Sequence, residues 1–101
     1  MIEIFVKPDA EIDLLEAFEY YEEQVTGLGS EFVRCIDAKI EFIRRNPLSY
    51  PKKHNDFRRA LVHRFPYGIY YKIEDERIVI FAVLHLKQEP KKIILRLKKE
   101  V

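Results

Sequence analysis

Apolar residues recur with a helical period between residues 10 and 45 and with a strand period after residue 56. Residues 2–6 are rich in β-formers and alternate at first, which predicts an opening strand. The helical period over residues 10–26 predicts a first helix, with the Asp9 carboxylate placed to cap it. A second helix is predicted over residues 29–45, where an Asn-Pro pair ends it. The short glycine-containing turn between the two favours an antiparallel helical hairpin.

The second half of the chain alternates polar turns with apolar runs that are typical of a sheet. Residues 47–56 are polar and contain two prolines, which predicts a loop. Three strands are predicted, over residues 57–62, 65–73 and 77–85. The last two flank a compact acidic turn and are expected to form a hairpin. The last strand is apolar almost throughout, which predicts a position in the centre of the sheet.

After Pro90 the chain becomes basic and amphipathic. Its apolar residues fall on one face of a short helix over residues 91–101, and a strand over residues 93–97 is the alternative. The predicted order is therefore β-α-α-β-β-β with a short C-terminal helix, an α+β fold in which one sheet faces a helical hairpin. A chain of 101 residues suits a single domain over residues 1–101.

The formal net charge of +1 conceals opposite charges in the two halves of the chain. Residues 1–43 carry eleven acidic and three basic residues, and residues 44–101 carry fifteen basic and six acidic residues. A basic half can attract an acidic partner or nucleic acid at long range. The two halves could instead form solvated faces that pair with each other on folding. We interpret the carboxylates of residues 9–23 as a solvated face rather than a catalytic pair.

Several classes of function are disfavoured by the composition. No run approaches the roughly 20 apolar residues that a membrane span needs, and residues 1–8 do not resemble a signal peptide, so we expect a cytoplasmic protein with no membrane partner. The single cysteine, Cys35, lies in the apolar stripe of the second helix, where a buried and inert thiol is expected. With no glycine-rich phosphate loop and no Cys/His cluster, neither a metal nor another cofactor is expected.

Short motifs follow one another from about residue 8 to residue 90. In the first half they are Leu14-x-Glu16-Ala17-x-x-Tyr20-Tyr21, Gly27-Leu28-Gly29-x-x-Phe32 and Asn46-Pro47-x-x-Tyr50-Pro51. In the second half they are Arg58-Arg59-x-Leu61, Arg64-Phe65-Pro66-Tyr67-x-Ile69-x-Tyr71 and Val83-Leu84-His85. Their joint order resembles the ParE-type (plasmid stabilisation) toxins of the bacterial RelE/ParE superfamily. The resemblance implies a helical hairpin packed on a twisted antiparallel sheet.

The resemblance also implies a partner and a target. Toxins of this superfamily are held inactive in a heteromeric toxin–antitoxin complex, in which the C-terminal segment of the cognate antitoxin wraps the toxin. Antitoxin tails are usually acidic and fold on binding, which suits an exposed basic surface. ParE-type members poison DNA gyrase, whereas RelE-type members cut messenger RNA in the ribosome. The resemblance therefore leaves two targets open: DNA gyrase, or the ribosome with its mRNA.

Two positions of the chain depart from the pattern of the RelE-type ribonucleases. Cleavage through the ribose 2′-hydroxyl needs a base, an acid and a cation that stabilises the phosphorane charge. Aligned on that pattern, the arginines of the ribonucleases fall at Gly68 and Gln88, and no tyrosine follows Tyr71. Glycine and glutamine supply no fixed cation. We therefore favour a ParE-like toxin that binds its target and is not an enzyme.

Two alternatives stand beside this hypothesis. The first is a RelE-like, metal-independent endoribonuclease with a rearranged site, built from the remaining candidates Arg58, Arg59, Arg64, His85 and Lys87. His54, in the predicted loop, and His63, between two predicted strands, are less favoured. The second alternative is a non-toxic relative that keeps only the fold.

Each candidate also has a structural interpretation. Arg58 and Arg59 are neighbours in a strand, so they point to opposite sides of the sheet, and the one that faces away from a site is expected to pair with a helix carboxylate. His85 could act as acid or base, or could hydrogen-bond a loop at the end of its strand. Arg64 and Lys87 could share the sheet edge of His85 or be solvated.

Overall fold

The computed structural model describes residues 2–99, which form five strands and three helices. The strands are β1 (Glu3–Val6), β2 (Lys52–His54), β3 (Phe57–Leu61), β4 (Tyr67–Glu74) and β5 (Arg77–His85), and the helices are α1 (Pro8–Gln24), α2 (Leu28–Arg45) and α3 (Pro90–Lys99). The α+β prediction is confirmed, and the C-terminal segment is a helix rather than a strand. The last two residues of that predicted helix lie outside the described residues.

The five strands form one sheet in the order β1-β5-β4-β3-β2. β4 and β5 form the predicted antiparallel hairpin, and β5 lies inside the sheet as expected. β1 pairs with β5 in parallel, from Glu3 beside Arg77 to Val6 beside Ile80, so the expectation of a wholly antiparallel sheet is wrong for β1. The α1–α2 hairpin and three strands separate β1 from β5, so no tight turn forces the two into an antiparallel pair.

β2 lies within the segment predicted as a loop, and that prediction is wrong for Lys52–His54. Lys52 pairs with Arg58 and His54 pairs with Phe57, with an irregularity between them. Three consecutive basic residues give no apolar alternation from which a strand could be predicted. A short, charged strand at the border of a sheet is nevertheless a common arrangement, because charge discourages pairing with another chain.

The sheet separates two cores. The hairpin side, under α1 and α2, buries alternate strand residues with both helices, among them Ala17, Phe32, Ile36, Ile43, Ile69, Tyr71, Ile78 and Ile80. The α3 side buries the other set with α3: Phe57, Tyr70, Val79, Phe81, Ala82, Leu84 and Leu97. A bulge in β5 assists this division, because Tyr70 pairs with Ala82 while Tyr71 pairs with Ile80. Phe81 and Ala82 therefore both face α3.

The glycine motif between the two long helices has a steric cause. Gly27 has φ +92°, a left-handed conformation that glycine adopts without strain. A Cβ at Gly29 would lie 2.7 Å from the Phe18 carbonyl oxygen, so only glycine permits this close crossing of the helices. The Glu22 carboxylate accepts hydrogen bonds from the backbone N–H groups of Gly27 and Gly29, at 2.8 and 2.9 Å. Glu22 therefore fixes the start of α2 rather than being merely solvated.

The start of α1 differs from the prediction. The N-cap position is Lys7, Pro8 is the first helical residue, and the structure shows no side-chain cap there. Asp9 lies inside the first turn, so its predicted capping role is wrong; with proline at the first helical position, the helix begins two residues earlier than predicted. Of the helices described in residues 2–99, none is long and apolar enough to cross a membrane.

Candidate functional site

Arg58 and Arg59 lie side by side on β3 and point to opposite sides of the sheet, as predicted. Arg58 lies opposite Tyr71 on the hairpin side, and its Nη1 donates a hydrogen bond to the Tyr50 carbonyl oxygen at 2.6 Å. Arg59 lies opposite Tyr70, which belongs to the α3 side. The expected pairing with a helix carboxylate is wrong for Arg58, because its guanidinium fastens the loop before β2 instead.

That loop is held by two further hydrogen bonds. The Tyr71 hydroxyl donates to the Pro47 carbonyl oxygen at 2.7 Å, and Lys39 Nζ donates to the Tyr50 hydroxyl at 3.1 Å. Burial raises the pKa of Tyr71 to about 12, against the opposing charge of Arg58, so the hydroxyl stays protonated and continues to donate. The loop contacts give Arg58 a structural role.

Arg64 lies in the loop between β3 and β4, where its backbone has φ +72°. Its Nη1 donates to Glu31 Oε2 at 2.9 Å, which ties this loop to the first turn of α2. Glu31 also pairs with Arg34, one turn further along the helix. The ion pair with Glu31 at the surface therefore accounts for the position of the Arg64 side chain without a substrate.

His85 is the last residue of β5, and its side chain contacts the loop that follows. Its Nδ1 accepts a hydrogen bond from the Lys87 backbone N–H at 3.0 Å, and its ring packs edge-on against Tyr67 with the centroids 5.2 Å apart. The structural interpretation of His85, a hydrogen bond to a loop at the strand end, is confirmed. Lys87 takes part through its backbone, while its side chain is exposed.

His85 also borders a cleft of about 270 Å³ between α1 and the end of β5, which we call the β5 cleft. Asp13 and Glu16 contribute carboxylates to its wall. Burial, together with the neighbouring Tyr21, raises the pKa of Tyr67 in this wall to about 12, so its phenol stays neutral and is no base near pH 7. A wall of carboxylates repels phosphate, so the cleft is ill suited to RNA.

Asp13, expected on a solvated face, is only 10% exposed and joins three elements. Its two carboxylate oxygens accept hydrogen bonds from the two terminal nitrogens of Arg96 on α3, at 2.9 and 2.8 Å. Oδ2 also accepts the Val83 backbone N–H of β5 at 2.9 Å. The solvated-face interpretation is wrong for Asp13, and the sequence held a signal: Asp13 lies between the buried Ala10 and Ala17 at helical spacing.

A second cavity, of about 230 Å³, lies on the α3 side between the sheet and α3, and we call it the α3 pocket. Three side chains that can carry positive charge border it, Lys53, His54 and Arg59. Its apolar wall comes from β4, the loop after β5 and α3, namely Tyr70, Leu86, Ile93, Ile94 and Leu97. Sequence reasoning missed Lys53 and disfavoured His54, because both fall in the segment predicted as a loop.

The two positions that depart from the ribonuclease pattern lie beside the α3 pocket. Gln88 lines it. A Cβ added at Gly68 would lie 3.0 Å from both Cγ and Cδ of Arg59, so the stem of this arginine passes directly over the glycine. Arg59 therefore takes the space that a longer side chain at position 68 would occupy.

The five candidates do not converge on one point. Arg58 fastens a loop, Arg64 pairs with α2, His85 and Lys87 bind each other at the β5 cleft, and Arg59 borders the α3 pocket. Base, acid and cation must contact the same phosphodiester to cleave it, which this distribution does not provide. Residues 2–99 contain no group of three His, Cys, Asp or Glu residues that could hold a metal ion.

The charges of the two layers complete the description. α1 carries seven acidic residues and no basic one, and α3, within the described chain, carries five basic residues and no acidic one. Cys35, expected to be buried, is half-buried in a groove along α2 with Phe42 and His63. The geometry defines a class of small α+β protein with an acidic helical hairpin on one side of a mixed sheet and a short basic helix on the other.

Comparison with known proteins identifies the family within this class. The sequence model of the ParE toxin of the type II toxin–antitoxin system parDE matches residues 4–90. Two proteins named Toxin ParE2, from Mycobacterium tuberculosis strains CDC 1551 / Oshkosh and ATCC 25618 / H37Rv, are each 33% identical to this chain over 84 residues, which is 79% of this chain and 77% of each relative. The chain belongs to the ParE toxin family, as the resemblance of its motifs predicted.

A solved structure supports the same fold. A chain of the chromosomal ParDE toxin–antitoxin system from P. aeruginosa superposes with a TM-score of 0.75 at 14% identity, covering 86% of this chain and 98% of the other. The family match ends at residue 90, where α3 begins. The pocket wall supplied by α3 therefore lies beyond the matched residues.

Proposed function

We propose that this ParE-like toxin acts by binding a protein target, DNA gyrase, and that a cognate antitoxin holds it inactive in a heteromeric complex. The dispersal of the five polar candidates carries the proposal. A toxin that works by binding needs complementary shape and charge at its surface, whereas a nuclease needs groups that converge on one bond.

Two further observations support an antitoxin partner. The structural neighbour is part of a ParDE toxin–antitoxin system. On this chain, the α3 side presents basic groups around an apolar pocket, which is complementary to an acidic segment that folds on binding. Obligate pairing of this kind would explain why so small a domain carries two oppositely charged layers.

Controlled expression in bacteria tests the proposal. Without an antitoxin, we expect growth to stop, the DNA damage response to rise and gyrase-linked DNA breaks to precede any loss of translation. Co-expression of an antitoxin from a neighbouring small reading frame with an acidic C-terminus should restore growth. Unchanged growth on full expression would leave the fold without toxicity, which is the non-toxic alternative.

A second candidate function rests on the α3 pocket. Lys53, His54 and Arg59 border one cavity, and a histidine with two cations is part of what RNA cleavage needs. If the chain is a ribosome-dependent endoribonuclease, expression will yield codon-phased mRNA cuts within minutes, before DNA breaks appear. Loss of these cuts in Arg59→Ala or His54→Ala, but not in the exposed control variant Arg45→Ala, would overturn the gyrase proposal.

A further inference from the structure

Arg59 differs from the other seven arginines of the described chain. Five of those pair with carboxylates: Arg34, Arg44, Arg45, Arg64 and Arg96. Arg58 donates to a backbone carbonyl, and the Arg77 guanidinium lies 5.3 Å from the centre of the Phe5 ring. Within residues 2–99, Arg59 alone among the arginines has a side chain that contacts neither an acceptor nor a ring, although the residue is half-buried. A guanidinium on a packed stem and without an acceptor is available to a ligand that supplies one.

The surroundings of Arg59 all favour a negative ligand. Lys53 on β2 forms no ion pair within the described part of the chain and faces the same cavity, beside His54. The described residues that line the α3 pocket include no aspartate or glutamate. Pro90, the first residue of α3, also lines it, so the positive end of the helix dipole adds to the field.

Apart from Gln88, the remaining wall of the pocket is apolar, which favours an anion that also carries apolar groups. Ile93 and Ile94 of α3 and Leu86 of the preceding loop offer aliphatic contacts around the cation. RNA bases are held by stacking on exposed aromatic rings, but Tyr70, the aromatic residue of the pocket, is only 2% exposed. A carboxylate flanked by apolar side chains matches both the cationic and the aliphatic parts of the wall. A nucleotide matches only the cationic part, through its phosphate.

We propose that the α3 pocket binds a carboxylate side chain of an acidic, leucine-rich or isoleucine-rich peptide segment of a partner protein, with Arg59 as its principal ligand and Lys53 in support. If the antitoxin supplies this segment, the inference rests on the proposed function and names where one of its acidic residues binds. The chemistry of the pocket itself does not depend on whether the chain is toxic.

Nuclear magnetic resonance of the full chain labelled with ¹⁵N tests this directly. The probe is the peptide acetyl-Leu-Glu-Leu-amide, and its matched control is acetyl-Leu-Gln-Leu-amide. We expect the acidic peptide to shift the Arg59 Nε–Hε resonance and the Gln88 and Leu86 amides with a common saturation curve. A guanidinium–carboxylate contact should make its affinity about tenfold higher than that of the neutral peptide.

Three variants locate the site. Arg59→Gln should lower the affinity of the acidic peptide about tenfold and leave the neutral peptide unaffected, while its amide spectrum shows that the fold is retained. Arg45→Gln removes an exposed arginine from the other side of the sheet and should bind as the unaltered chain does. Lys53→Gln, at the exposed rim, should have a smaller effect than Arg59→Gln.

Three results would overturn the proposal: equal shifts with both peptides, no shift up to the solubility limit of the acidic peptide, or a preference for the dinucleotide 5′-phospho-uridylyl-uridine over the acidic peptide. The last result would make the pocket a nucleotide site. Growth assays report toxicity separately, so loss of peptide binding with full toxicity would reject this site alone. Peptide binding without toxicity would reject the proposed function alone.

Discussion

The two sides of the sheet are stabilised in different ways. On the hairpin side, two helices of 17 and 18 residues cover a continuous core that includes four packed aromatic rings, those of Tyr21, Phe32, Phe65 and Tyr67. On the α3 side, a helix of ten residues covers a smaller core. A helix that short is marginal in water alone, so it depends on its tertiary contacts.

Leu97, Ile93 and Arg96 attach α3 to the sheet and to α1. Leu97 is fully buried and Ile93 is half-buried against the sheet, and Arg96 joins Asp13 across the edge of β5. The pairing of β1 with β5 ends at Val6 and Ile80, so the Asp13 carboxylate takes the place of a strand beside Val83. The hairpin side is thus secured by a large packed area, and the α3 side by a smaller core together with one part-buried ion pair beside an open pocket.

The largest effect should come from opening the core of the hairpin side. Phe32 is fully buried and lies with ring centroids 5.3 Å from Phe65 and 5.0 Å from Tyr67. We expect Phe32→Ala to lower the free energy of unfolding by about 3–5 kcal/mol, because it removes a buried ring and leaves a cavity. Urea unfolding followed by circular dichroism measures this. Phe42→Ala, on the same helix but 48% exposed, is the control and should cost about 1 kcal/mol or less.

The next effect should separate the two sides. Asp13→Asn keeps an acceptor for Val83 but removes the charge that pairs with Arg96, and we expect about 2–3 kcal/mol of destabilisation. Amide hydrogen exchange should show protection lost first in α3, with the α1–α2 amides retained. The control Glu19→Gln changes an exposed carboxylate of the same helix and should leave α3 protected. Equal loss of protection in all helices would show that the two sides unfold as one unit.

Asp13 also marks the boundary of what the sequence could predict. Periodicity located both long helices, the β4–β5 hairpin and the buried β5, because each of these presents a repeating apolar face. A carboxylate that reaches across a strand edge leaves no such pattern, since its partner Arg96 lies 83 residues away. Only the position of Asp13 between Ala10 and Ala17 indicated burial, and the many neighbouring acidic residues concealed it.

The candidate site was predicted less fully than the fold. Adjacent residues in a strand must face opposite sides, so the separation of Arg58 from Arg59 followed from spacing alone. The α3 pocket could not be predicted in this way, because it is closed by the C-terminal helix, which follows β5 in the chain and packs back over β2, β3 and β4. Lys53 and His54 sit on an edge strand without apolar alternation, so neither their strand nor their shared face could be inferred.

A smaller effect, on the hairpin side, should appear as a dependence on pH. The pKa of Tyr71 is about 12 in the folded chain and near 10 in an unfolded one, because burial disfavours its anion. The neutral Tyr71 hydroxyl therefore contributes fully to the free energy of unfolding below about pH 10. That contribution is lost as the pH rises towards 12, since the unfolded chain ionises first.

Tyr71→Phe should lower the free energy of unfolding by about 1 kcal/mol at neutral pH, because it removes the hydrogen bond to Pro47, and should make the loss of stability at alkaline pH less steep. Urea midpoints at pH 8 to 12 check this against Tyr20→Phe, which alters an exposed ring; an unchanged alkaline slope would contradict it.

The smallest effect on stability should come from Gly68→Ala on the α3 side. This variant is useful because it should also change the binding of the acidic tripeptide. The new Cβ would lie 3.0 Å from Arg59 Cγ and Cδ and 3.4 Å from Leu86 Cδ2, so a flexible stem must shift by a few tenths of an ångström. Flexible side chains yield at little cost, and alanine suits a strand better than glycine, so we expect a change within about 0.5 kcal/mol. The guanidinium moves with its stem, however, so the acidic tripeptide should bind several-fold more weakly. Unaltered peptide affinity in a variant of unaltered stability would show that the position of Arg59 does not govern the α3 pocket.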